Sequence, residues 1–201
     1  MKSVQSNSRR VLVIGGKPNQ KTTRHLQIFK NLFDKGWKFV TYSKCVKAQL
    51  CEVGIDSLIL GKTEGCPWKL SGHAIPDSKT VSALLANRDN SDEMEDLSFH
   101  NIVPIDIVIY LHGESLIPYQ DGQNNIDVNL FSYLIPAIEN YRHVTVVTDS
   151  ADYESVVDAF VNDGNTSISA REKLRLKATN LLAQWFGSFN KIARFNSVQY
   201  T

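Results

Sequence analysis

The chain has no long apolar run, no excess of charge of either sign and few cysteines, and each shortage removes a class of function. Its first apolar run, Val11 to Ile14, and every later one fall far short of the ~20 residues needed to cross a bilayer. No membrane span and no secretory signal core is expected. Lysine and arginine number 22 against 21 aspartates and glutamates, a formal net charge of +1. That balance gives no polybasic face for nucleic-acid phosphates or anionic lipid, so neither partner is expected. The three cysteines, Cys45, Cys51 and Cys66, are odd in number and spaced unlike a zinc knuckle. Inert, reduced thiols in a cytoplasmic protein are the expectation, with no metal. Two nucleotide signatures are missing as well. Gly15-Gly16-Lys17 lacks the G-x-x-x-x-G-K-[ST] spacing and runs into Pro18, and no G-x-G-x-x-G follows the first strand.

What is present suffices for one core: 201 residues with 42% hydrophobic side chains. Residues 1–9 read as a flexible leader and 10–201 as a single domain. Val11 to Ile14 is a short, fully apolar run, as expected of a buried parallel strand. The spacing of Leu26, Ile28, Phe29, Leu32 and Phe33 predicts a helix ended by Gly36. Lys38 to Tyr42 and Ser57 to Leu60 read as strands flanking a helix over Val46 to Val53. A long loop over 61–78 precedes short helices over Lys79 to Ala86 and Ser91 to Phe99, the latter with Ser91 as its N-cap. Ile105 to Leu111 is a central strand, Asn129 to Asn140 a helix with a kink or restart near Pro136, and Val144 to Val147 a fifth strand. Helices over Asp152 to Val161 and Ser169 to Phe189 complete the chain. The alternation predicts a three-layer α/β fold: a mostly parallel sheet of about five strands with helices on both faces.

Several segments carry a family resemblance in their order and spacing. They are Leu50-x-Glu52-x-Gly54-Ile55, Leu84-Leu85-Ala86-x-Arg88-Asp89, Met94-Glu95-Asp96 before Pro104-Ile105-Asp106, Asn125-Ile126-Asp127, Asn140, the run from Asp149 to Tyr153, and Arg171 to Ala178. From about Arg10 to Phe195 the chain resembles IMP cyclohydrolase, the purine-ring-closing domain at the N-terminal end of a bifunctional enzyme. The resemblance implies a methylglyoxal-synthase-like fold, a homodimer, a small-molecule ligand and no transformylase domain. The family's reaction closes a ring in a formamido-imidazole-carboxamide ribonucleotide. An amide nitrogen attacks the formyl carbon and water leaves, which takes orientation, proton shuttling and oxyanion donors but no redox cofactor. No cofactor is expected.

The departures from the family fall on the chemistry. Its N-I-D-x-G-G segment keeps Asp127 but has Asn129 and Leu130 for the two glycines, and Ile135 and Glu139 for an arginine and a lysine. The turn S-V-S-D-K-T-G becomes Val13 to Asn19, keeping Lys17 after Gly16. The turn S-T-G-G-T becomes Tyr42 to Val46, where Ser43 and Lys44 remain to meet an anion. His73 stands in the loop where the family has arginine, and His112 where it has a phenol.

Asp127, His112 and His73 are therefore the candidate catalytic residues, and Lys17, Gly16, Ser43, Lys44, Asn129 and Glu139 the candidate ligand-binding ones. Each has a plainer reading beside it. Asp127 suits the cap of the helix near Asn129, the histidines and Lys17 suit a solvated surface, and Glu139 suits an exposed helix end. The expected activity is a related cyclisation, dehydration or hydrolysis on a small heterocyclic, formylated or amide-bearing substrate by acid-base catalysis. A non-catalytic module binding a nucleotide-like molecule is the alternative, and the family's own reaction a weaker one.

Overall fold

The computed structural model describes residues 9–15, 25–60, 77–111 and 128–198, with side chains of the last segment described over 131–187. Five strands form one parallel sheet: β1 (Arg10–Gly15), β2 (Lys38–Thr41), β3 (Ser57–Ile59), β4 (Ile107–Leu111) and β5 (Thr145–Val147), in the order β3-β2-β1-β4-β5. Among the described residues the α-helices are α1 (Lys30–Asp34, entered through a 3-10 turn, Gln27–Phe29), α2 (Lys44–Glu52), α3 (Ser78–Leu85), α4 (Ser91–Phe99), α5 (Val128–Glu139), α6 (Tyr153–Asn162) and α7 (Ile168–Val198).

Alternate strand residues supply two cores, one on each face, because successive side chains point to opposite sides of a sheet. Val11, Val13, Phe39, Ile107 and Ile109 face a cluster with Leu50 of α2 and Val156 of α6. Leu12, Ile14, Val40, Val108 and Tyr110 face the other, with Leu84 of α3, Leu134 of α5 and Leu181 of α7. The three-layer α/β expectation holds. Connections from β1 and β2 cross the first face and those from β3 and β4 involve the second, so the winding direction reverses between β1 and β4. In doubly wound sheets ligands bind where the order reverses, outside the carboxyl ends of the strands.

Those two strands meet closely there. Gly15 pairs with Leu111, adopts φ +147°, and a Cβ on it would stand 2.4 Å from the Leu111 carbonyl oxygen. Only glycine fits such a position.

Three local expectations are corrected. The N-cap of α4 is Asn90, whose side chain accepts from the Asp92 N–H, and not Ser91. Helix α5 runs through Pro136 without a restart. Helix α7 extends to Val198, past Phe189. Among the described residues, no helix is long and apolar enough to cross a membrane.

Candidate functional site at the carboxyl edge of the sheet

Parallel strands joined by crossover helices bring helix N-termini to the sheet's carboxyl edge, where free N–H groups and the helix dipole favour an anion. Helix α2 begins this way directly after β2. Ser43, extended at φ −97° and ψ 122°, is its N-cap. Its Oγ accepts from the Val46 N–H at 3.3 Å, while its own N–H donates to Thr41 Oγ1 at 3.2 Å. Lys44 is the first helical residue and is exposed, and no acidic side chain stands in that first turn. Lys47, one turn on, is committed to the Ser57 carbonyl at 2.8 Å. The α2 start thus joins a neutral cap, open backbone donors and one outward lysine.

The start of α3 differs. Asp77 caps it, accepting from the Thr80 N–H at 2.8 Å and the Thr80 hydroxyl at 2.7 Å. That carboxylate already answers the helix's donors. Its backbone N–H donates to the Tyr133 hydroxyl at 3.4 Å. Tyr42, the residue before Ser43, lies against Tyr133 with ring centroids 5.7 Å apart and planes 30° apart. Tyr133 is fully buried, and burial, reinforced by the Asp77 charge, pushes its phenol up to about 12. It stays a neutral phenol near pH 7. Beside this cluster a cavity of about 240 Å³ runs along the sheet face, lined by Val40, Leu60, Asp77, Lys79 and Ile102 among others.

On the other side of the switch point Tyr153 is buried and donates its hydroxyl to the Tyr110 carbonyl at 2.9 Å. Burial raises its pKa as well. His25 packs edge-on against it at 5.9 Å. Beyond β5, Lys177 of α7 bridges Asp149 at 3.3 Å and Asp152 at 2.7 Å. The hydrogen bond it donates to Asp152 is the main reason its pKa is raised.

Of the expected site residues, Ser43 and Lys44 therefore lie together at the start of α2. Glu139 does not join them. It is exposed at the last residue of α5, whose 12 residues rise ~18 Å from its first, and leads into the chain before β5, at the opposite edge. Gly16, Lys17, His73, His112 and Asp127 lie outside the described residues, as does the Asn129 side chain, although Asn129 itself is in the first turn of α5. The chain continues from Gly15 and from Leu111 into the segments that hold Gly16, Lys17 and His112. Asp77 and Tyr133 were not singled out from sequence. Asp77 had a readable signal, an aspartate three residues before Thr80 at a helix start; Tyr133 had none, being one apolar-face residue among several. Cys45 and Cys51 are free and exposed. Among the described residues no three histidines, cysteines or carboxylates gather as a metal site.

The residues that carried the sequence resemblance are mostly structural. Arg88 Nη1 meets Asp106 Oδ1 at 2.8 Å, and its Nη2 donates to the Ile105 carbonyl. The second Asp106 oxygen accepts from the Arg10 N–H at 2.9 Å. Asn140 Nδ2 donates to the carbonyls of Leu84 and Ala86 at 2.7 and 2.9 Å, closing the end of α3.

The model of the AICARFT/IMPCHase bienzyme family matches residues 137–193. The chain is similar to the bifunctional purine biosynthesis protein PurH of Streptococcus mutans, 33% identical over 159 residues that cover 75% of this chain and 30% of the relative. It is 30% identical over 175 residues to PurH of Lactobacillus acidophilus, covering 81% of this chain and 33% of that one. The chain thus spans about a third of the length of these relatives. Among solved structures, the crystal structure of ForH superposes with a TM-score of 0.73 at 19% identity, covering 92% of this chain and 98% of the other. At that identity the likeness concerns the fold.

Proposed function

Because the chain is a distant homologue of the IMP cyclohydrolase-like N-terminal domain of the AICARFT/IMPCHase proteins, we propose that it is a divergent enzyme of that kind. It acts at the carboxyl edge of its sheet on a small heterocyclic substrate bearing a formyl or amide group. The reaction is a cyclisation with loss of water, or the corresponding hydrolysis, assisted by proton transfer. The observation that carries the reading is the start of α2. Ser43 holds one donor of the first turn, Lys44 stands exposed beside the others, and no carboxylate competes. Such a terminus suits the phosphate or another anionic group of the substrate. Asp127, His112 and His73 are the proposed acid-base groups.

The test is direct. Purified protein is incubated with a formamido-imidazole-carboxamide ribonucleotide and with its nucleoside, and ring closure is followed by absorbance and mass. Turnover that collapses in Asp127→Asn, with a KM raised in Lys44→Met for the phosphorylated substrate alone, supports the proposal. Absence of turnover on either compound, or turnover indifferent to Asp127→Asn, overturns it.

A second reading has its own support. Apart from Lys44, several described polar side chains at this edge are committed to holding the fold: Asp77 to Thr80, Tyr153 to the Tyr110 carbonyl, and Lys177 to two aspartates. A binding module that takes a nucleotide-like ligand without converting it fits that commitment. Thermal stabilisation by nucleotides with no product formed is its expected signature.

A further inference from the structure

The cavity along the sheet face holds a charge that the proposed reaction does not use. Side chains alternate along β1, so Arg10 points to the same face as Leu12, two residues on, and it lines the cavity. Its Nε is buried without a partner, and among the described residues no acceptor or ion pair meets its guanidinium. Asp106 is spent elsewhere, one oxygen on the Arg10 backbone N–H and the other on Arg88. Burial lowers the Arg10 pKa, and no neighbouring carboxylate offsets it. A guanidinium stays charged at any ordinary pH, so its half-burial without a counter-ion is costly.

Most of the other walls are apolar: Val40, Leu60, Ile102 and Val103, with Ala83 of α3. The remaining charged groups of the lining are Lys79, which is exposed, and Asp77, which spends both oxygens on Thr80. The cavity therefore has a cation to spare and its one carboxylate committed. It lies where helix cover runs out. Val40 is buried in the second core, while Leu58, its register partner on the same face of β3, is 61% exposed. The lining runs from Arg10, the first residue of β1, to Leu60, just past the end of β3. Between those edges the four residues of β2 rise ~13 Å. The volume of about 240 Å³ falls below the ~300–1,000 Å³ of sites for drug-sized ligands.

We propose that this cavity binds a small monocarboxylate with an aliphatic body, its carboxylate on Arg10 and its chain laid along Val40, Ile102 and Leu60. The planar guanidinium fork pairs both carboxylate oxygens, and the chain covers apolar surface at the open flank of the sheet. A phosphate is a poorer match, because the apolar walls would leave its remaining oxygens unpaired. Arg10 stands at the opposite edge of the sheet from the start of α2, and the site does not depend on the reaction proposed above.

Calorimetric titration of the whole chain with octanoate, octanol and inorganic phosphate tests this. Octanoate is expected to bind, and octanol to bind about tenfold more weakly, the difference being the carboxylate–guanidinium pair. Arg10→Met should remove that difference by weakening octanoate alone. If Arg10→Met fails to fold, Val103→Glu serves, since it places a carboxylate at a half-buried wall of the cavity and should weaken octanoate while sparing octanol. Lys44→Met should leave both titrations unchanged, and amide NMR shifts on adding octanoate should gather at residues 79–83 and 101–105. Failure of octanoate to bind, equal binding of octanoate and octanol in the wild-type chain, or octanoate affinity unchanged in both cavity variants overturns the proposal. So does octanoate binding that phosphate displaces or that Lys44→Met abolishes, outcomes that would assign it to the start of α2.

Discussion

The two edges of the sheet use polar side chains in opposite ways. At the amino edge they bond to one another and to exposed backbone ends: Arg88 to Asp106 and the Ile105 carbonyl, Asp106 to the Arg10 N–H, Asn140 to the last carbonyls of α3. At the carboxyl edge strands β1 and β4 close on each other through Gly15, and the start of α2 leaves its donors open beside Lys44. Arg88, Asp106 and Asn140 at the amino edge are among the residues that carry the sequence resemblance, as is the run from Asp149 to Tyr153 beyond the carboxyl end of β5. The amino-edge bonds hold strand and helix ends in place.

The largest way to break the carboxyl edge is Gly15→Ala. Its Cβ would collide with the Leu111 carbonyl, a backbone atom in the paired strand, at a φ that alanine resists. A loss of about 3 kcal/mol or more in urea unfolding is expected. Asp106→Ala is the counterpart at the amino edge. Arg88 and Asp106 are 22% and 17% exposed, so removing the carboxylate leaves a largely buried guanidinium and the Arg10 N–H without their acceptor. Unfolding free energy should fall by about 3 kcal/mol. A loss under about 1 kcal/mol would mean that the amino edge does not hold the fold as argued.

The next effect is a pH dependence at the carboxyl edge. The Tyr133 phenol is raised from 10.0 to about 12, chiefly by burial. The folded chain therefore keeps a proton that the unfolded chain releases above pH 10, and stability falls as pH rises from about 10 through 12. Below pH 10 this contribution is fully present. Roughly 2 kcal/mol is at stake, and Tyr133→Phe should flatten the alkaline limb of the stability curve. An unchanged limb in that variant would assign the alkaline loss to other groups.

Much of this architecture was legible in the sequence, for reasons visible in particular residues. Val11 to Ile14 and Ile107 to Leu111 are fully apolar because both faces of those strands are covered, and a covered parallel strand reads as an unbroken run. The start of β4 was placed two residues early, since Ile105 looks like strand; Asp106 beside it serves Arg88 and the Arg10 N–H at the edge. Pro136 suggested a break, yet a helix packed through Tyr133, Leu134 and Ala137 tolerates one missing donor. The sites were less legible. Ser43 and Lys44 were reached through the family resemblance, as what remains of the turn S-T-G-G-T. That Glu139 ends at the other edge follows only from the direction in which α5 runs.

Asn140→Ala sharpens the comparison more gently. The amide reaches two carbonyls 54 and 56 residues away in sequence. Without it the end of α3 loses both donors at a half-buried position, and about 1–2 kcal/mol should be lost. Faster amide exchange confined to residues 82–87 would locate the damage.

The smallest effect on stability should come from Lys44→Met. Lys44 is exposed at the first position of α2, where a cation meets the unfavourable end of the helix dipole. Removing it should change unfolding free energy by no more than about 0.5 kcal/mol, with a slight gain the expected sign. Its effect on a phosphorylated substrate at the carboxyl edge should be far larger, about tenfold in KM, because the lysine then neutralises the bound anion. The pairing of near-zero cost to folding with a clear cost to binding is what separates an open helix start from the bonded amino edge. A variant that instead lost stability without losing affinity would place Lys44 among the residues that hold the fold, and the contrast between the two edges would fail at the position where it is drawn most sharply.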